Sequence, residues 1–156
     1  MYEECEITDV KIKLMNLNDF IKDVYNQPIK LSDILKRNSF SEAEIETIKS
    51  NSIEQLLHNI DFALKCKFIS SSNKLRLYKV ICQRYGLFGY AKLTLREIAS
   101  DMNISHERVR QIEEKAINYI KPNKRGDFLS TAIILSACQI LNLDISAKLI
   151  QNDIEE

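Results

Sequence analysis

Glu107, Arg110, Gln111, Glu114 and Asn118 recur at three- and four-residue spacing, which on an α-helix places them on one face. His106 and Arg108 stand at the margins of that face. These residue types can read nucleotide bases. Arg donates twice to guanine, Gln pairs bidentately with adenine, and Glu accepts from the cytosine amino group. The reverse face carries Val109, Ile112 and Ala116, a narrow apolar stripe. A solvated polar face is the bland alternative for any surface helix, so its neighbours must decide. Little else in the sequence suggests chemistry. The histidines are His58 and His106, far apart. Cys5, Cys66, Cys82 and Cys138 lack the close pairing that a tetrahedral zinc ion demands. No Gly-rich phosphate loop or nucleophile–base arrangement is visible. No enzymatic activity, metal or cofactor is expected.

The elements that would position this face are themselves legible. Thr94 and Glu97 have the spacing of a helix-starting capping box, ahead of Leu95, Ile98, Ala99 and Met102. Asn103 suits the left-handed backbone of a sharp turn, Ile104 is apolar within that turn, and Ser105 can start the next helix. Two short helices locked by such a turn form a helix-turn-helix. The pattern predicts helices over about Thr94–Met102 and His106–Lys121. A preceding helix from about Lys74 to Tyr85 carries Leu77, Val80 and Ile81 on one side, and Gly86 ends it.

Leu93-Thr94-Leu95-Arg96-Glu97-Ile98-Ala99, followed by Asn103-Ile104-Ser105-His106-Glu107-Arg108-Val109-Arg110-Gln111-Ile112-Glu113, resembles promoter-reading region four of bacterial primary sigma factors. Lys115-Ala116 and, upstream, Arg76, Lys79-Val80 and Arg84-Tyr85-Gly86-Leu87 extend the likeness over about residues 74–121. The resemblance implies that Glu107, Arg110 and Gln111 face base edges in the major groove, with His106 and Arg108 beside them. It implies that Arg76, Arg84, Thr94 and Leu95 hold the DNA backbone, and that Lys115 lies near the backbone or an activator. Lys121 joins this group through the basic charge of the segment. Two departures stand out. His106 replaces a usual Arg, which alters base preference there, and Arg96 replaces a usual acidic residue.

Charge is distributed in keeping with that role. The net charge is zero, yet residues 74–126 hold twelve Lys/Arg against five Asp/Glu, while residues 1–73 hold nine against twelve. Residues 127–156 hold one against five. A basic middle with acidic flanks is the footprint of a nucleic-acid site in a neutral protein. Three parts follow: an N-terminal helical region at 1–73, the helix-turn-helix at 74–126, and a C-terminal helical segment at 127–156. The fold expected is all-α, built of short helices, with any strand confined to residues 7–15, where Val10, Ile12 and Leu14 alternate. A helical pattern starts at Asn18, and Ser32, Ser41 and Ser52 are candidate helix caps. An apolar helix runs from about Asp127 to Asn142, and Asp144-Ile145-Ser146 begins another. The width of its apolar surface calls for cover either by residues 1–73 or by a second copy of the chain. No signal segment or membrane-spanning stretch is read, so a cytoplasmic, nucleoid-associated protein is expected.

The function expected is a sequence-specific DNA-binding transcription regulator acting at promoters with RNA polymerase. Residues 1–73 are too short and acidic to supply the promoter-melting, polymerase-gripping region of a working sigma factor. The alternative is a sigma-mimicking interaction module that docks on RNA polymerase or an anti-sigma factor with little DNA binding. The partners are double-stranded promoter-like DNA, RNA polymerase and, in the self-association case, a homodimer mate.

Overall fold

The computed structural model describes residues 2–69, 72–146 and 148. Among them are eight helices: α1 (Tyr2–Tyr25), α2 (Leu31–Arg37), α3 (Glu42–Asn51), α4 (Ile53–Phe68), α5 (Ser72–Tyr85), α6 (Leu95–Met102), α7 (His106–Ile120) and α8 (Phe128–Leu141). The described residues form no strand, only an isolated bridge between Asn123 and Gly126.

The segment that alternated like a strand is the middle of α1. Val10 and Leu14 are half-buried against the core, whereas Ile12 between them is 50% exposed. The period is therefore four, continued by Leu17, Phe20, Ile21 and Val24, all buried. The helix also begins well before Asn18.

Cap positions follow hydrogen-bond geometry. Ser41 opens α3 with a complete capping box: its Oγ accepts from Glu44 N at 3.1 Å, and Glu44 Oε1 accepts from Ser41 N at 2.8 Å. Ser32 lies inside α2. That helix starts two residues earlier than a Ser32 cap allows, with Asp33 Oδ2 accepting from Lys30 N at 2.9 Å. Ser52 precedes α4 but makes no side-chain cap bond, because it also ends α3 and has ψ 15° rather than an extended backbone. Ile145 and Ser146 are helical, with Asp144 Oδ1 accepting from Ser146 N at 3.0 Å. Most of the continuation lies outside the described residues, as do Ser70 and Ser71, just before the expected boundary after residue 73.

One apolar cluster links the helices. Phe20 and Ile21 of α1, Ile60, Leu64 and Phe68 of α4, Val80 and Ile81 of α5, and Leu129 and Ile133 of α8 are all buried in it. Each such side chain contributes about 1.5–3 kcal/mol relative to exposure. The broad apolar surface of α8 is covered from within the chain, by α4, α2 and α3. Asn59 Nδ2 donates to the buried Ser136 Oγ at 2.8 Å across the α4–α8 contact. The Tyr25 hydroxyl donates to Asp127 Oδ1 at 2.6 Å, fastening the end of α1 to the start of α8.

Helix α1 also steadies the loop before the helix-turn-helix. Gly86 has φ +66°, and a Cβ there would come within 2.9 Å of Lys92 Cβ and 3.0 Å of Asn16 Nδ2. Glycine is required on both counts. Its carbonyl accepts from Asn16 Nδ2 at 3.2 Å, and Leu93 N donates back to Gln83 O at 2.8 Å. The loop is thereby returned to α5 just before α6 begins.

Candidate nucleic-acid interface

Helices α6 and α7 meet through local chemistry in each joint. Thr94 Oγ1 accepts from Glu97 N at 3.1 Å, and Glu97 Oε1 accepts from Thr94 N at 3.1 Å. Asn103 ends α6 at φ 56°, ψ 47°, and Ile104 N donates to Ala99 O at 3.1 Å. Ser105 then caps α7 by accepting from Arg108 N at 3.1 Å. Ile98 and Ala99 face inward, as do Val109, Ile112, Ala116, Ile117 and Ile120. The small Ala99 and Ala116 give room for a close crossing of the two helices.

The outward face of α7 exposes His106, Glu107, Arg108, Arg110, Gln111, Glu114, Lys115 and Asn118. On it Arg110 is already partnered. Its Nε lies 3.0 Å from Glu107 Oε2 and its Nη2 2.7 Å from Glu107 Oε1, while Nη1 donates to Glu114 Oε2 at 3.2 Å. The Arg110 hydrogen bonds hold the Glu107 carboxyl below its ordinary value, and Glu107 in turn raises Arg110. Arg108 Nη1 donates to Gln111 Oε1 at 3.4 Å, a long bond. The four contacts group donors and acceptors along the exposed face of α7, from its first turn to Glu114.

The remaining site residues are spread around this face. Thr94 is exposed at the amino end of α6, with Leu95 half-buried beside it. Arg76 is exposed on α5. Lys121 caps the far end of α7 and is half-buried, about 16 Å along the axis from Arg110 at helical rise. Arg84 is placed differently from an open backbone contact. Its Nε faces Glu113 Oε1 at 3.4 Å, an ion pair without a well-aligned hydrogen bond. Burial raises the Glu113 carboxyl above its ordinary value; the Arg84 charge opposes that and nearby Asp23 reinforces it. The sequence had marked Glu113 only as part of the motif. No periodicity signal pairs it with a residue on another helix.

Of the other reactive types, Cys66 is exposed, while Cys82 is buried and burial pushes its thiol up to about 12. Such a thiol stays protonated and is a poor nucleophile. No helix among the described residues is long and apolar enough to cross a membrane.

Comparison with known proteins agrees with this geometry. Residues 76–121 match the family described as Sigma-70, region 4. The RNA polymerase sigma factor SigA of Synechocystis sp. is 28% identical over 135 residues, covering 84% of this chain and 30% of that protein. The RNA polymerase sigma-B factor of Nostoc sp. is 31% identical over 97 residues, covering 62% of this chain and 26% of that protein. The chain thus spans less than a third of the length of these relatives. An alignment over 84% of the chain reaches well beyond residues 76–121, farther than the motif resemblance extended. No solved structure matches the chain.

Proposed function

We propose that the chain is a sequence-specific DNA-binding transcription regulator that acts at promoters with RNA polymerase, a reading supported by the match of residues 76–121 to sigma-70 region 4. One observation carries the reading: the first turns of α7 expose Glu107, Arg110 and Gln111 together, on a helix whose other face is locked against α5 and α6. Base edges in a major groove are the ligand such a face fits. Arg76, Arg84, Thr94, Leu95, Lys115 and Lys121 serve as the surrounding backbone contacts, with His106 and Arg108 at the margin of the base-reading set. The relatives' names add RNA polymerase as the partner, and no reaction is assigned to the chain.

The test is selection of bound fragments from a bacterial genome, with and without polymerase, followed by mobility shifts on the recovered sites. Recovery of a shared sequence bound more tightly than random duplex supports the reading. Binding of no duplex at low salt would sink it.

A second reading is favoured by three specific ion pairs. Arg110 is engaged by Glu107 and Glu114, and Arg84 by Glu113, so two cations of the expected surface are partly neutralised. In that reading the module docks on RNA polymerase or an anti-sigma factor with little DNA contact. Capture of polymerase by a chain that shifts no promoter duplex would select it.

A further inference from the structure

A cleft of about 520 Å³ opens where the end of α4, the end of α7 and the α7–α8 turn meet. It brings Lys67 of α4 together with Lys121 and Arg125, more than fifty residues further along the sequence. The Lys67 ammonium lies 4.9 Å from the Tyr119 ring centre and 4.8 Å from that of Phe128. Ring faces hold an ammonium without neutralising it, so the charge remains available to an anion. Lys74 stands close by, 4.2 Å from the Tyr119 ring centre, with its Nζ donating to the Tyr119 hydroxyl at 3.0 Å.

Asp127 is the one carboxylate among the described residues lining the cleft, and it is engaged elsewhere. Its Oδ1 accepts from the Tyr25 hydroxyl at 2.6 Å and from Ser130 N at 3.2 Å. The turn itself is closed. Asn123 and Gly126 exchange two backbone hydrogen bonds of 3.0 Å, and Asn123 Oδ1 accepts from Arg125 N at 2.7 Å. Lys124 and Arg125 are therefore presented, exposed, on a constrained loop.

Position supplies the ligand. The outward face of α7 continues through Glu114 and Asn118 to Lys121. The span of about 16 Å from Arg110 to Lys121 exceeds the roughly 12 Å width of a major groove. With α7 crossing the groove, cations at this end of the helix fall past the groove that the first turns enter, over the sugar-phosphate backbone. We propose that this cleft and the loop beside it form a second phosphate-binding site, in which Lys67, Lys121 and Arg125 of the cleft and the exposed Lys124 of the loop grip the DNA backbone beyond the groove read by α7. The proposal rests on the DNA-reading role argued above. The shared chemistry is a run of phosphates, which a duplex or a free polyphosphate can supply.

The experiment compares the full chain with its Lys124→Gln, Arg125→Gln double variant on two duplexes carrying the same selected site. One duplex ends at the site, and the other extends about one helical turn, roughly 10 base pairs, on each side. The wild-type chain should bind the longer duplex roughly tenfold more tightly, with a salt slope steeper by about 2. The variant should lose that gain and match wild type on the short duplex. Equal wild-type affinity for both lengths, or a variant unaffected on the long one, overturns the proposal. Thermal melts with inorganic tripolyphosphate separate the sources. Stabilisation of wild type but not variant, with no duplex-length effect, overturns the DNA assignment in favour of a free polyphosphate. Loss of polymerase capture in the variant, again without a length effect, overturns it in favour of an acidic protein surface. If wild type binds neither duplex, the DNA-reading role falls as well, an outcome distinct from failure of the cleft alone.

Discussion

The Tyr85 hydroxyl donates to Asp23 Oδ2 at 2.6 Å, and its ring meets Phe20 edge-on with centres 5.4 Å apart. One side chain thus joins α5, which carries Arg76 and Arg84, to α1. Burial first, and then the bond to Asp23, pushes the phenol well above its ordinary value. Tyr85→Phe keeps the ring contact and removes the bond, so it should cost about 1–2 kcal/mol. For a chain of this size that lowers Tm by about 2–4 °C per kcal/mol. A melt followed by circular dichroism checks this, and an unchanged Tm would mean that water replaces the phenol at Asp23.

Glu113 should impose a pH dependence on stability. Its carboxyl is raised in the folded protein by burial, against the opposing charge of Arg84. The folded state therefore holds a proton that the unfolded chain releases at about pH 4.3. The contribution is fully present below that value and is lost as pH rises through the raised one. Glu113→Gln should flatten this decline. Urea midpoints from about pH 4 to about pH 7 measure it, and a variant with the wild-type decline would place the titrating group elsewhere.

Base reading by α7 should separate from general attraction. Arg110→Ala and Gln111→Ala should each cost about 1–3 kcal/mol on a selected site and far less on random duplex. Glu114→Ala should act in the opposite sense. It releases Nη1 of Arg110, so binding to random sequence should tighten and discrimination narrow. Competition titrations with selected and random duplexes report both quantities. If the three variants shift both duplexes alike, α7 is not the reading helix.

Backbone contacts should appear in the salt response. Arg76→Ala should weaken all sequences about equally and reduce the salt slope by about 1. Arg84→Ala should do less, because Glu113 already takes part of its charge. In a Glu113→Gln background the Arg84 substitution should recover the full change of about 1 in slope. Equal effects of Arg84→Ala in both backgrounds would show that the ion pair yields freely to phosphate.

The helix-turn-helix was legible because each joint is coded within four residues: Thr94 with Glu97, Asn103 at the left-handed turn, Ser105 with Arg108. Gly86 and Asn142 ended α5 and α8 for the same reason, each with positive φ. The start of α1 was obscured because Ile12 is apolar yet exposed, so a four-residue period imitated alternation. Ser52 failed as a side-chain cap because α3 runs directly into α4, leaving no extended residue between them. Contacts between distant residues left no local trace. Arg84 with Glu113, and Lys67 among Tyr119 and Phe128, depend on how helices cross rather than on spacing along one of them.

The bond from Tyr25 to Asp127 joins residues 102 positions apart, and it encloses the whole segment from α2 to α7. Closing so long a loop costs conformational entropy that local contacts do not. Contacts among α5, α6 and α7 are near in sequence and can be made first, whereas docking of α8 on α4 and the Tyr25 clasp must wait for both ends of that loop. On the ribosome this order is enforced, since α8 emerges after α1 to α7. The clasp therefore works as a latch on assembly: a chain arrested before α8 has emerged would hold its recognition helix against α5, α6 and α1, with the face of α4 that α8 covers still open.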